Sequence, residues 1–457
     1  MVHTADRRRD ESLPATTLRK VTRRVIPLLV LAYLVSYLDR INISFAKFGM
    51  DETFGMTATQ YGFAAGIFFV GYVLAEVPSN IIMTKVGARV WLSRIMLTWG
   101  VIAALTAFVP NLEMFYVMRF LLGLAEAGFF PGILVYLTHW YPNRYRPKVV
   151  STVMVAIPLA GVVGGPLNGW ILSAMDGVWG LDGWRWVFVV GGLPAVVLGV
   201  AFFLTVTDRP PDAHWLTVDQ RAWLTATLAE EEAQRAVATP AGHRAALRNK
   251  KVLALSMVYF LLQCGAYPLT YWTPSVMKDV SKGLSSIEIG WLSAVPMLLA
   301  AVCMYLVGRR VRNEGSSKPT MIALGISVLT FAVTAVSLGS PMLAFVAITL
   351  ATMAAQTAKP LFWSLPTTFL AGAGAASGLA LINSFGNAAG FVSPYAVGWI
   401  QQASGGNDGL SMTVMIVANL LAMVVIAGLW LSARRSAAPE VPPRHGVTDA
   451  PGAVAAD

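Results

Sequence analysis

The chain has 457 residues, of which 56% are hydrophobic and only 13% charged, with a formal net charge of +10. A soluble protein of this size carries about twice that charged share, so a soluble globular enzyme is excluded. The two cysteines, Cys264 and Cys303, both lie in apolar runs and offer neither a disulfide framework nor metal-ligand spacing.

Apolar windows of 18 or more residues recur along the whole length, which predicts an all-α membrane protein. Helices are expected at about 24–45, 58–84, 89–109, 112–138, 148–175 and 184–206, then at about 251–277, 287–308, 319–338, 341–369, 376–401 and 410–432. The basic N-terminus (Arg7-Arg8-Arg9, Arg19-Lys20, Arg23-Arg24) is like that of a signal peptide. The following span is too long and lacks a small-residue cleavage site, so it reads as an uncleaved first helix.

Two six-helix bundles are expected, at 24–206 and 251–433, joined by a hydrophilic linker at 207–250 and flanked by tails at 1–23 and 434–457. The C-terminal tail is rich in Pro and Ala and reads as disordered. In the linker, Thr217 and Gln220 fit a capping box, and Glu230-Glu231-Glu232 continues a polar helix that reads as a solvated connector. A weak echo between Asn80…Thr84-Lys85-Val86-Gly87-Ala88-Arg89 and Gly308…Arg312-Asn313-Glu314-Gly315 suggests duplication. Two such halves with a site between them are a recurrent transporter architecture.

Lys85, Arg89, Arg144, Arg146, Lys148, Arg309, Arg310, Arg312, Lys318, Arg434 and Arg435 all fall on the side of the N-terminus. The opposite loops hold few basic residues, chiefly Lys47, Lys278 and Lys282. This positive-inside pattern accounts for the net charge without nucleic acid. It predicts a multi-pass protein of a bacterial inner membrane with both termini cytoplasmic. The expected partner of such a protein is the lipid bilayer, and the expected state is a monomer.

Four charged residues lie deep in apolar runs: Asp39 and Arg40 in the first, Arg119 and Glu126 in the fourth. Arg119 and Glu126 are seven apart, so on a helix they share a face about 10.5 Å apart along the axis. Charges in hydrocarbon cost about 2.5–3.5 kcal/mol each, so they turn toward protein or a watery cavity. Two cations and two carboxylates nearly cancel. A static network locking the two helices is the plainer reading. A proton-driven exchange of partners, freeing a guanidinium for a substrate carboxylate, is the functional one.

Further motifs carry a resemblance. They are Tyr37-Leu38-Asp39-Arg40-Ile41-Asn42, Gly71-Tyr72…Glu76-Val77-Pro78-Ser79-Asn80, Lys85-Val86-Gly87-Ala88-Arg89, the Arg119–Glu126 stretch and Trp140-Tyr141-Pro142. Gly165-Pro166, Gly183-Trp184-Arg185-Trp186, Phe362-Trp363-Ser364-Leu365-Pro366 and Asn383-Ser384…Gly386-Asn387…Gly390 follow in order. Over about 25–433 the chain resembles the major facilitator superfamily. More narrowly it is similar to the anion:cation symporter family, which includes carriers of tartrate, phthalate, hydroxyphenylacetate and sugar acids.

The resemblance implies a twelve-helix major facilitator fold and proton-coupled import of a small carboxylate by alternating access. It implies proton carriage at Asp39 and Glu126, substrate binding near Arg40 and coupling at Arg119. Thr84 stands where the superfamily usually places an Asp, which puts a gate built on that carboxylate in doubt. Gly161-Val162-Val163-Gly164-Gly165-Pro166…Gly169 is similar to a glycine-rich motif of drug–proton antiporters, with Thr152 in place of that motif's first Gly. Close helix packing is the plainer reading there.

Tyr72, Lys359, Asn383, Asn387, Gln263, Tyr267 and Trp363 are further candidate substrate contacts. Tyr72 reads equally as a packed aromatic, and Lys359 as a lysine reaching along its helix to water. Asn383 and Asn387, four apart, share a helix face and can equally bond between helices. Tyr267, Tyr271, Trp272 and Trp363 offer an apolar wall, although an aromatic stripe is more often packing. Glu76, near the terminal-side end of its helix, is expected in a capping or gating contact.

No cofactor and no metal are expected. The sequence has no Gly-Lys-Ser or Gly-Lys-Thr phosphate loop, so an ion gradient should supply the energy, with sodium left open as an alternative to protons. An exporter of drugs or metabolites is the nearest rival reading. An intramembrane enzyme is remote, because His3, His139, His214, His243 and His445 lie outside mid-membrane and at no ligand spacing.

Overall fold

The computed structural model describes residues 13–237, 249–280, 283–310, 317–369 and 374–436. Among the described residues there is no β-strand. The first half holds α1 (Leu13–Phe54), α2 (Ala58–Val86), α3 (Ala88–Leu105), α4 (Leu112–Glu126), α5 (Phe129–Thr138), α6 (Arg146–Met154), α7 (Ala156–Ala174) and α8 (Gly183–Thr205). After α9 (Val218–Val237) come α10 (Lys250–Val280), α11 (Ser286–Arg310), α12 (Ser317–Ser337), α13 (Pro341–Phe369), α14 (Gly374–Ala403), α15 (Asp408–Ser411) and α16 (Thr413–Ser436).

Helices are the only way an open chain can satisfy its backbone in lipid. Eleven of the described stretches are long and apolar enough to cross a membrane. The twelfth is α14, which carries Asn383, Asn387, Gln401 and Gln402 and packs along α2 and α10. Helix starts are capped by side chains. Thr57 and Gln60 form a capping box on α2, and Asn111 accepts from the Met114 amide at 2.9 Å on α4.

Several boundaries differ from the sequence expectation. Helix α1 begins at Leu13 rather than near 24, because Thr17, Leu18 and Val21 are buried against the body. The fourth span is broken after Glu126. Gly128 takes a left-handed φ of 83°, and Ser79 of α2 donates to the freed Ala127 carbonyl at 2.7 Å. The fifth span divides at Val155 into α6 and α7. The second-half echo at 311–315, with Arg312, lies outside the described residues, as do 1–12 and 437–457 of the expected tails.

The linker is docked, not merely solvated. The expected capping box forms, with the Thr217 amide donating to Gln220 Oε1 at 3.2 Å and the Gln220 amide to Thr217 Oγ1 at 3.3 Å. Ahead of it, Trp215 stacks on Trp140 at 5.3 Å, with Arg24 5.3 Å from the Trp215 ring centroid. Asp208 accepts from the Arg89 amide at 2.7 Å, at the start of α3. Gly87, the residue before α3, offers no side chain for that task, so the cap comes from the linker. Glu231 accepts from the Asn143 amide at 3.0 Å.

The halves meet along α2–α14, α7–α11 and α1–α10. Gly165 of α7 and Gly290 of α11 face each other so closely that a Cβ on either would strike the other's carbonyl oxygen. At the end away from the chain termini, Tyr61 donates to the Tyr271 carbonyl at 2.8 Å and Thr59 Oγ1 to the Gly398 carbonyl at 3.3 Å. Trp272 donates to Gln401 at 3.2 Å on the same level. These contacts seal the face opposite the termini.

Candidate functional site

Ser36, Asp39 and Arg40 project from the middle of α1, and Arg119 and Glu126 from α4. All five are buried, Ser36, Asp39, Arg119 and Glu126 completely. Arg40 donates to Glu126 Oε1 through Nη2 at 2.6 Å and Nε at 2.9 Å, and Ser36 Oγ donates to the same oxygen at 2.7 Å. Three donors thus crowd one carboxylate oxygen, while Glu126 Oε2 is buried without a partner. Glu126 is the last residue of α4, immediately before the break.

Rings surround the Arg40 guanidinium. Its carbon lies 5.2 Å from the Tyr37 centroid, 5.3 Å from Phe68 and 5.1 Å from Tyr72. Arg119 shares the Phe68 ring at 5.1 Å and donates through Nε to the Ala64 carbonyl at 3.3 Å. Its two Nη atoms have no hydrogen-bond partner, and neither has either carboxylate oxygen of Asp39. The four charges therefore do not form one closed network. One couple is bonded; the Asp39 carboxylate and the Nη atoms of Arg119 are buried without a partner.

The second half contributes from α10 and α14. Tyr267 packs edge-on against Phe69 of α2 at 4.7 Å and donates to Asn387 at 3.4 Å. Asn383 donates to Glu76 Oε1 and Ser384 to Glu76 Oε2, both at 3.3 Å. Glu76 thus reaches across to the other half instead of capping its own helix end. Gln263, one helical turn before Tyr267, is buried with its carbonyl oxygen unpartnered.

Other candidates lie elsewhere. Trp363, half-buried, packs on Tyr259 at 5.0 Å and on Phe362, against the edge of a second-half core cluster. Trp272 and the Tyr271 carbonyl take part in the contacts between the halves. Lys359 is half-buried in α13, without an ion pair among the described residues. Sequence reasoning missed Ser36, Phe68 and Ser384. The first two sit one turn before Arg40 and Tyr72 respectively, a spacing that could have nominated them.

A family model, Major Facilitator Superfamily, matches residues 29–394. A protein named "Putative tartrate transporter" from Agrobacterium vitis is 43% identical over 92% of this chain and 92% of its own length. A "Quinolone resistance transporter" from Acinetobacter baumannii is 39% identical over 90% of this chain and 95% of its own. "Putative metabolite transport protein NicT" from Pseudomonas putida is 40% identical over 84% and 88%. Among solved structures, a partially occluded inward-open form of the xylose transporter XylE from E. coli superposes with a TM-score of 0.71 at 16% identity, over 90% of this chain and 98% of its own. The chain is a multi-pass membrane transporter, not an enzyme, and belongs to the Major Facilitator Superfamily.

Proposed function

We propose that the chain imports a small organic carboxylate together with a proton, by alternating access across a bacterial inner membrane, with both termini cytoplasmic. One observation carries this reading: a buried arginine caged by three aromatic rings and bonded to one oxygen of a buried glutamate whose other oxygen is free. A proton arriving at Glu126 Oε2 weakens its hold on Arg40. The released guanidinium then pairs bidentately with a substrate carboxylate. Asp39, buried with no donor, is the second proton seat, and Arg119 the group that senses its charge. In this reading residues 24–206 and 251–433 are the two rocking halves, and 207–250 joins them. The sealed face is then periplasmic, and the conformer faces inward.

The relatives named for tartrate support a carboxylate. The relative named for quinolone resistance favours a second reading, drug export. Proteoliposomes with an imposed pH gradient separate the two. Uptake of tartrate or another acid from a carboxylate panel, accelerated by a proton gradient and abolished by a protonophore, is the expected result. Dependence on a sodium gradient instead would overturn proton coupling. Movement of a fluoroquinolone with no acid transported would overturn carboxylate import.

A further inference from the structure

Glu76 is a carboxylate inside a site proposed for anions. It is 5% exposed. Among the described residues it forms no ion pair. Its two bonds come from neutral donors of the opposite half, Asn383 Nδ2 and Ser384 Oγ, each at 3.3 Å. Bonds from ionised groups run about 2.7–2.9 Å, so these are slack, and a carboxylate offers about four acceptor sites. Glu76 thus keeps acceptor capacity beyond these two bonds.

Its position is informative. Glu76 lies one turn beyond Tyr72 on α2, and Tyr72 is one of the rings around Arg40. The two residues therefore share a helix face, about 5.4 Å apart along the axis. On the facing helix Asn387, one turn after Asn383, accepts from Tyr267 at 3.4 Å. The site has a cationic end, which pairs with carboxylate, and an end built of acceptors and amides. An ionised carboxylate cannot bond another carboxylate, but it accepts readily from an uncharged hydroxyl.

We infer that Glu76, with Asn383 and Ser384, is a hydroxyl-reading subsite, so that the anion carried is a hydroxy acid. This rests on the carboxylate reading above and deepens it. Arg40 holds the acid group, and Glu76 takes hydrogen bonds from hydroxyls a few ångströms away. An analogue without hydroxyls leaves the buried acceptors unmet, which is the physical basis of rejection. A plain tie between the halves would bear equally on every acid.

The test uses tartrate and succinate, four-carbon diacids with and without hydroxyls. Their dissociation constants are measured on the full-length protein in nanodiscs. Wild type should prefer tartrate by about tenfold or more, the value of one or two such bonds. Glu76→Met should erase about tenfold of that preference while leaving succinate binding near wild type. Glu76→Gln, which keeps one acceptor, should fall between. An unchanged tartrate-to-succinate ratio in both variants overturns the subsite, as does an equal weakening of both acids. Should Glu76→Met fail to fold, Glu76→Gln decides by the same ratio. Wild type binding both acids equally sinks the hydroxyl subsite alone. Wild type binding neither tartrate nor succinate nor any other acid of the panel sinks the carboxylate reading and this inference with it.

Discussion

Arg40 and Arg119 lie over one ring: their guanidinium carbons stand 5.3 and 5.1 Å from the Phe68 centroid. Arg40 is bonded to Glu126, whereas the Nη atoms of Arg119 are unmet. A buried cation–ring contact contributes about 0.5–2 kcal/mol. Phe68 therefore holds both cations in place without neutralising either. Replacing it with Leu keeps the volume apolar and removes the quadrupole. Phe68→Leu should slow pH-driven uptake about tenfold, with a smaller loss in counterflow at constant pH. Equal rates to wild type in both assays would show that the shared ring does nothing.

The Arg40–Glu126 couple separates stability from transport. Removing one partner strands a buried charge and costs about 3–5 kcal/mol, whereas replacing both with apolar residues is often neutral. Arg40→Met should lower the thermal unfolding midpoint in detergent sharply. The double variant Arg40→Met/Glu126→Met should recover most of that midpoint and still fail to transport. A double variant that remains as unstable as the single one would mean the pair is not the source of the loss.

Glu126→Gln keeps the shape of the site and removes the titratable oxygen. Substrate-driven counterflow should persist, while accumulation against a gradient and substrate-induced proton uptake should vanish. A variant accumulating substrate like wild type in response to pH would take Glu126 out of the coupling.

The linker cap is open to a direct measurement. Asp208→Ala removes the acceptor for the Arg89 amide, and loss of a helix cap costs about 0.5–2 kcal/mol. A modest fall in thermal midpoint is expected, with affinity for substrate unchanged. An unaltered midpoint would show that water caps α3 equally well.

Gly165 and Gly290 allow the sealed face to close. Gly165→Val puts a branched side chain against the Gly290 carbonyl, with no flexible neighbour to yield. The seal should loosen, and a cysteine introduced at Thr59 should react faster with a membrane-impermeant maleimide than in the unaltered background. Unchanged reactivity would mean that α7 and α11 part without disturbing α2 and α14.

Much of this was legible in the sequence. Twelve apolar runs mark the spans, and ionisable residues inside them mark the candidate site, because both reflect the cost of polar groups in lipid. Asp39, Arg40, Arg119 and Glu126 stand out for that reason alone. Their pairing did not, since spacing along a helix says nothing about rotamers. Arg40 therefore meets Glu126, while Asp39 and the Nη atoms of Arg119 remain unbonded. Phe68 was hidden because one more aromatic in an apolar helix reads as packing. Trp272 and Trp363 are as hard to read, since a hydrogen bond to Gln401 and packing against a core cluster leave no mark in the sequence. The Thr217–Gln220 box was readable from two side chains three apart. The Asp208 contact was not, because its donor is a backbone amide with no signature in the sequence.

That contact bears on biosynthesis. The amide of Arg89 and the carboxylate of Asp208 are separated by 119 positions. A ribosome must finish the sixth span and extend past it before the third can be tied off. Until then that carboxylate is not present to accept from the Arg89 amide. The opening of the linker, though made after the sixth span, thus completes the start of the third.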